Sequence, residues 1–151
     1  MTVEIVPYTK DRISDVVQFE KDLRSEEDDW GWEIDDAYLS SVSASFDSDL
    51  FGDSVSLLAC ADGRVVGRID SSMIHSRFDG VVRAYLDWIC VLKSYRHQGI
   101  GQMLMESLRK ILKERNIPSM VALTAANDEA QRFYRAVPDS EMRDTGIWIE
   151  L

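Results

Sequence analysis

The sequence predicts an α/β fold, a mixed sheet with helices packed on both faces. Three observations carry that expectation. Apolar positions switch along the chain between a period of two and a period near 3.6, in the order strand, helix, helix, three strands, helix, strand, helix, strand. Asp62-Gly63 separates two strand-like runs and supplies the positive φ that a tight hairpin needs. A strongly amphipathic helix opens at Gly99-Ile100-Gly101.

Taken in order, residues 3–8 alternate loosely and read as a first strand, stopped by Pro7. A helix follows from about Asp11, its apolar stripe made by Ile13, Val16, Val17, Phe19 and Leu23. After Trp30-Gly31-Trp32 a second helix covers residues 34–44. Residues 55–61 and 64–73 form the hairpin, and residues 81–91 are a long apolar strand. The helix after Gly99 buries Ile100, Met103, Leu104, Leu108, Ile111 and Leu112 on one face. Asn116-Ile117-Pro118 ends it, and residues 119–124 read as a short buried strand. Asn127 caps the next helix, with Asp128 and Glu129 favoured by its dipole. Residues 146–151 close the chain as a strand.

Composition narrows the function. The 151 residues are 45% hydrophobic and 29% charged, which excludes wholesale disorder and collagen-like structure. A net charge of −10 argues against nucleic acid as a partner. No apolar run reaches bilayer-spanning length and no secretion signal is visible, so a cytoplasmic protein without a membrane partner is expected. Cys60 and Cys90 form no disulfide framework and no zinc spacing; they are expected as reduced core residues, with no metal.

The chemistry concentrates in residues 91–104. A strand feeds a short basic turn, and two glycines stand where a helix begins. Glycines there let successive backbone N–H groups converge on one anion, and the helix dipole adds partial positive charge. Arg96 adds formal charge, with Lys93 nearby. Two such glycines also serve a turn alone. Neither a phosphate loop of the Gly-Lys-Ser/Thr kind nor a dinucleotide fingerprint fits, since position 104 is Leu104.

Arg96-x-x-Gly99-x-Gly101 after a strand, then Asn127-x-x-Ala130-x-x-Phe133-Tyr134, resembles the GNAT superfamily of N-acetyltransferases, over residues 84–134. The resemblance implies one domain over residues 1–151 and a mostly antiparallel central sheet with helices on both faces. It implies acetyl-CoA as co-substrate, its pyrophosphate on the turn formed by Arg96, His97, Gln98, Gly99, Ile100, Gly101 and Gln102. Ile89, Cys90 and Val91 would lie along the pantetheine and thioester, Asn127 would contact the pantetheine arm, and Tyr134 would stand near the sulfur. Where many members continue with Gly-Phe, this chain reads Arg135-Ala136-Val137-Pro138, and its tail is short. The closing hairpin is therefore expected to be reduced, or completed by a second subunit in a homodimer.

Direct acylation of an amine needs an oxyanion site, a proton donor and a proton acceptor. Backbone N–H groups near Val91 suit the first and Tyr134 the second. Strand alternation sets Tyr85, Asp87, Ile89 and Val91 on one face, which makes Asp87 the candidate base, with His75 a second candidate. A strand acid also serves simply by pairing with a neighbouring cation.

Charge is unevenly spread. Nine acids stand between residues 20 and 36 against Lys21 and Arg24, while residues 91–115 carry six bases against two acids. The acidic loop, with Asp28, Asp29, Trp30 and Trp32, is expected to bind a cationic amine together with Tyr85. Polyamines, aminoglycosides and lysine-type side chains fit that chemistry. Acylation of a peptidyl amine is the alternative within enzymes, and an acyl-CoA-binding sensor without turnover is the alternative outside them.

Overall fold

The computed structural model describes residues 1–28 and 32–151. Five strands, β1 (Val3–Pro7), β2 (Val55–Ala61), β3 (Arg64–His75), β4 (Val82–Val91) and β5 (Met120–Ala122), lie side by side in chain order. The first four are mutually antiparallel, and β5 runs parallel to β4. A parallel neighbour needs a crossover, and α3 (Ile100–Glu114) provides it. The other helices are α1 (Ile13–Glu26), α2 (Asp36–Ser45) and α4 (Asp128–Ala136). No helix of the described residues is long and apolar enough to cross a membrane.

Two neighbouring residues of β3 show that helices cover both faces. A Cβ on Gly67 would come 3.2 Å from Leu104 Cδ1 on α3. Arg68, one residue on and therefore on the opposite face, reaches Glu20 of α1 at 3.1 Å. Phe19 and Leu23 of α1, Leu58 and Ile69 of the sheet, and Leu104 and Leu108 of α3 are fully buried between them. Each such side chain contributes about 1.5–3 kcal/mol by leaving water.

Four expectations need correction. α2 starts two residues late because Asp35 caps it, its carboxylate accepting from Tyr38 N at 2.8 Å. β5 has three residues rather than six and is not buried, Val121 being 47% exposed. Residues 146–151 form no strand, with Ile147 81% and Trp148 79% exposed. Apolar alternation states that a segment can pair; the neighbour decides whether it does. Cys60 and Cys90 are free thiols, half-buried rather than core.

Candidate active site

The β3–β4 ladder slips once. Asp70 opposes Trp88 and Ser71 opposes Leu86, which leaves Asp87 as the unpaired residue of a β-bulge. At the same place β4 loses its other neighbour, since β5 pairs only with Ala84, Tyr85 and Leu86. From Asp87 to Val91 the strand thus has β3 on one side and, among the described residues, no strand on the other. Apart from the Val91 carbonyl, which Arg96 holds, backbone groups along that open edge have no strand partner among the described residues and can meet a ligand.

The bulge also divides the face expected from simple alternation. Directly opposed residues share a face, so Tyr85, Trp88 and Cys90 join Ser72, Asp70 and Arg68 on the α1 side. Ile89 and Val91 join Ile69 and Gly67 on the α3 side. Asp87 stands at the break, and Ser72 Oγ donates to its Oδ1 at 2.9 Å. Partial desolvation pushes the Asp87 carboxyl up; Ser72 opposes the shift and the charge of Asp70 adds to it. Burial pushes the Cys90 thiol up to about 11, so it stays protonated at neutral pH.

Beyond Val91 the chain makes a 3-10 turn over Lys93–Tyr95 and enters α3 through His97 and Gly99, both at positive φ. Gly99 is the N-cap at φ 80°, and it offers α3 no side-chain cap. The first-turn N–H groups, from Ile100 to Gln102, therefore keep their donors for an anion, helped by the helix dipole. Gly101 has a second duty. A Cβ there would lie 3.0 Å from Phe133 Cε2, so the missing side chain lets α4 approach α3.

Arg96 is already engaged. Its Nε donates to the Val91 carbonyl at 3.0 Å, and Nη1 and Nη2 fork onto Glu27 at 2.7 and 3.0 Å. Glu26, one residue back, accepts from Ser94 N at 3.1 Å and Ser94 Oγ at 2.7 Å. The end of α1 is thereby tied to the turn. The Gln98 side chain reaches back to the Ser94 carbonyl at 3.5 Å. Sequence reading counted these acids but could not pair them.

On α4, Asn127 caps the helix, its Oδ1 accepting from Ala130 N at 2.9 Å. Gln131, which no motif singled out, donates to Thr124 Oγ1 at 2.9 Å and to the Ala125 carbonyl at 2.8 Å, pinning α4 to the end of β5. Tyr134 meets Phe133 edge-on at 5.4 Å. Its phenol is pushed up by burial first and by the charge of Tyr85 second.

At the expected acceptor side Trp32 packs edge-on against Trp88 at 5.6 Å. Arg24 lies over the Trp32 ring at 5.0 Å and donates to its carbonyl at 2.7 Å. One indole face is therefore covered by the protein's own cation. Asp28 is exposed; Asp29 and Trp30 lie outside the described residues. His75 pairs with Asp53 at 2.6 Å where β3 opposes Val82, the far end of the ladder from Val91. Among the described residues no group of three or more His, Cys, Asp or Glu is placed to hold a metal.

Residues 16–137 match the family model described as acetyltransferase (GNAT) family. The chain belongs to this family. GNAT acetyltransferases use acetyl-CoA, and by that membership this chain is an N-acetyltransferase. Its fold is similar to an aminoglycoside acetyltransferase from an uncultured soil metagenomic sample, in complex with sisomicin: TM-score 0.82 and 16% identity over 99% of this chain and 96% of that one. It is also similar to AAC(6')-Iy in complex with the bisubstrate analogue CoA-S-monomethyl-acetylneamine, with TM-score 0.78 and 21% identity over 100% and 99%. A ribosomal-protein-alanine N-acetyltransferase from Brucella melitensis biovar Abortus 2308 gives TM-score 0.75 and 17% identity over 99% of each chain. No curated protein matches the chain by sequence.

Proposed function

We propose that this GNAT enzyme transfers acetyl from acetyl-CoA to a primary amine on a cationic small molecule by direct attack. The single observation that carries the site is the open edge of β4 from Asp87 to Val91, leading into an uncapped helix N-terminus. An extended thioester fits along such an edge and a diphosphate fits at its end. Arg96, His97, Gln98, Gly99, Ile100, Gly101 and Gln102 would hold the diphosphate, and Ile89, Cys90 and Val91 would line the arm. Asn127 keeps its amide N–H groups for the same arm while its oxygen caps α4.

Asp87 takes the proton of the ammonium, directly or through water, and desolvation, by raising its pKa, makes it a stronger base than a free carboxylate. Unpaired strand N–H groups near Val91 meet the oxyanion, and Tyr134 protonates the leaving sulfur. Asp28, Asp87 and Tyr85 favour a cationic acceptor, in keeping with the aminoglycoside-acting neighbours. A peptidyl amine is the second reading, favoured by the bare edge of β5 at Val121 and by the ribosomal-protein neighbour. The exposed tail from Ile147 supports a homodimer in which a second copy covers it, a matter for light scattering on the full chain.

The test is CoA release followed with a thiol reagent across a panel of polyamines, aminoglycosides and peptides. Release with cationic small molecules supports the proposal, and Asp28→Asn then raises the acceptor KM with acetyl-CoA KM unchanged. Binding of CoA without release for any amine would make the protein a sensor.

A further inference from the structure

Glu129 stands in the first turn of α4 and faces the anion turn across the α3–α4 contact. Its Oε2 lies 3.4 Å from Arg96 Nη1 and its Oε1 lies 3.4 Å from His97 Nε2. Both separations are loose beside the 2.7 and 3.0 Å fork that Glu27 makes with the same guanidinium. Glu27 is therefore the fixed partner of Arg96, and Glu26 is equally fixed on Ser94. Glu129 is the exchangeable one. Its side chain is 46% exposed and the His97 ring is 83% exposed, so the pair sits at the mouth of the turn.

We infer that Glu129 is a built-in competitor of the cofactor's diphosphate, pairing with Arg96 and His97 in the free enzyme and giving way when the diphosphate arrives. This rests on the acyl-CoA reading of the turn. The chemistry is that of one anion exchanged for another at the Arg96 guanidinium, beside the His97 ring. While in place, the carboxylate sits on the guanidinium that a diphosphate would approach; once displaced, it still repels the diphosphate from close range. Both effects weaken the hold on acetyl-CoA and on the CoA product. Glu129 is thus a residue that sets cofactor affinity without touching the thioester.

Glu129→Gln keeps the size and polarity of the side chain and removes the charge. Titration calorimetry with CoA is expected to show binding roughly three- to tenfold tighter than for the unmodified protein, an effect of the size of one partly exposed charge contact. Glu129→Lys should tighten it further. The gain should shrink toward nothing in high salt. Acetyl-pantetheine, which carries no diphosphate, should show the same KM with both variants as with the parent, which a loosened α4 would not permit. Unchanged or weaker CoA binding by both variants overturns this inference and leaves the acyl-CoA reading standing. Absence of any CoA binding by the parent protein overturns the reading itself.

Discussion

Asp87 and Ser72 form the pair whose chemistry is easiest to test. The Ser72 hydroxyl stabilises the ionised carboxylate and so holds its pKa below the value that desolvation and Asp70 would set. A base must be unprotonated, so activity falls as pH drops through that pKa. Ser72→Ala removes the lowering bond, and the acid limb of the kcat profile is expected to move to higher pH. A limb that stays in place would remove Asp87 as the base. Tyr134→Phe should lower kcat on the order of 10² with the CoA Kd retained, read by stopped assay and calorimetry. Undiminished kcat would leave Tyr134 a packing residue. The acids show how far single residues were legible. Their number and sign could be read from the chain, but not that Glu20 is fully buried on Arg68, Glu27 forked onto Arg96 and Asp35 spent as a cap. Charge is local to a residue, whereas an ion-pair partner can come from 42 or 69 positions away, as with Asp22–Arg64 and Glu27–Arg96.

Helices were legible where one stripe of side chains had to be apolar. The buried set of α3, Ile100, Leu104, Met105, Leu108 and Leu112, follows the helical period, and so do Val16, Phe19 and Leu23 of α1. Short strands were less so, because three residues of β5 pair on the strength of what lies beside them. The junctions between elements carry two further expectations. Gly101→Ala pushes a methyl onto Phe133, and overpacking of this kind costs about 1–3 kcal/mol. A lowered Tm together with weaker CoA binding is the expected result, since α3 and α4 meet beside the anion turn. Arg68 joins α1 to the sheet: it contacts Glu20 at 3.1 Å and Asp70 at 2.6 Å, and its guanidinium stacks 4.9 Å from the Tyr8 ring. Arg68→Ala strands two carboxylates, at a cost of about 3–5 kcal/mol in urea denaturation.

Across the whole molecule the motifs mark the strand–turn–helix junction and the Asn127 cap that the structure contains, and say nothing of the far wall of the sheet. The Gly99–Gly101 turn and Asn127 cap are local signals and survive translation into three dimensions. Beyond β5, residues 146–151 read as a strand and yet pair with no neighbouring strand among the described residues, which no local pattern encodes. The family match covers residues 16–137 and stops short of that tail as well.

The interruption at Asp87 has a consequence for how this enzyme would respond to losing an amino acid. Leu86 opposes Ser71 and Trp88 opposes Asp70, so excising Asp87 would leave an unbroken ladder with every other side chain still on its own side of the sheet. Such a shortened chain should fold, and its straightened strand is expected to keep β5 alongside past Ala122 and zip shut the edge proposed for the thioester. The opening that makes catalysis conceivable is, on this view, the width of a single extra peptide unit.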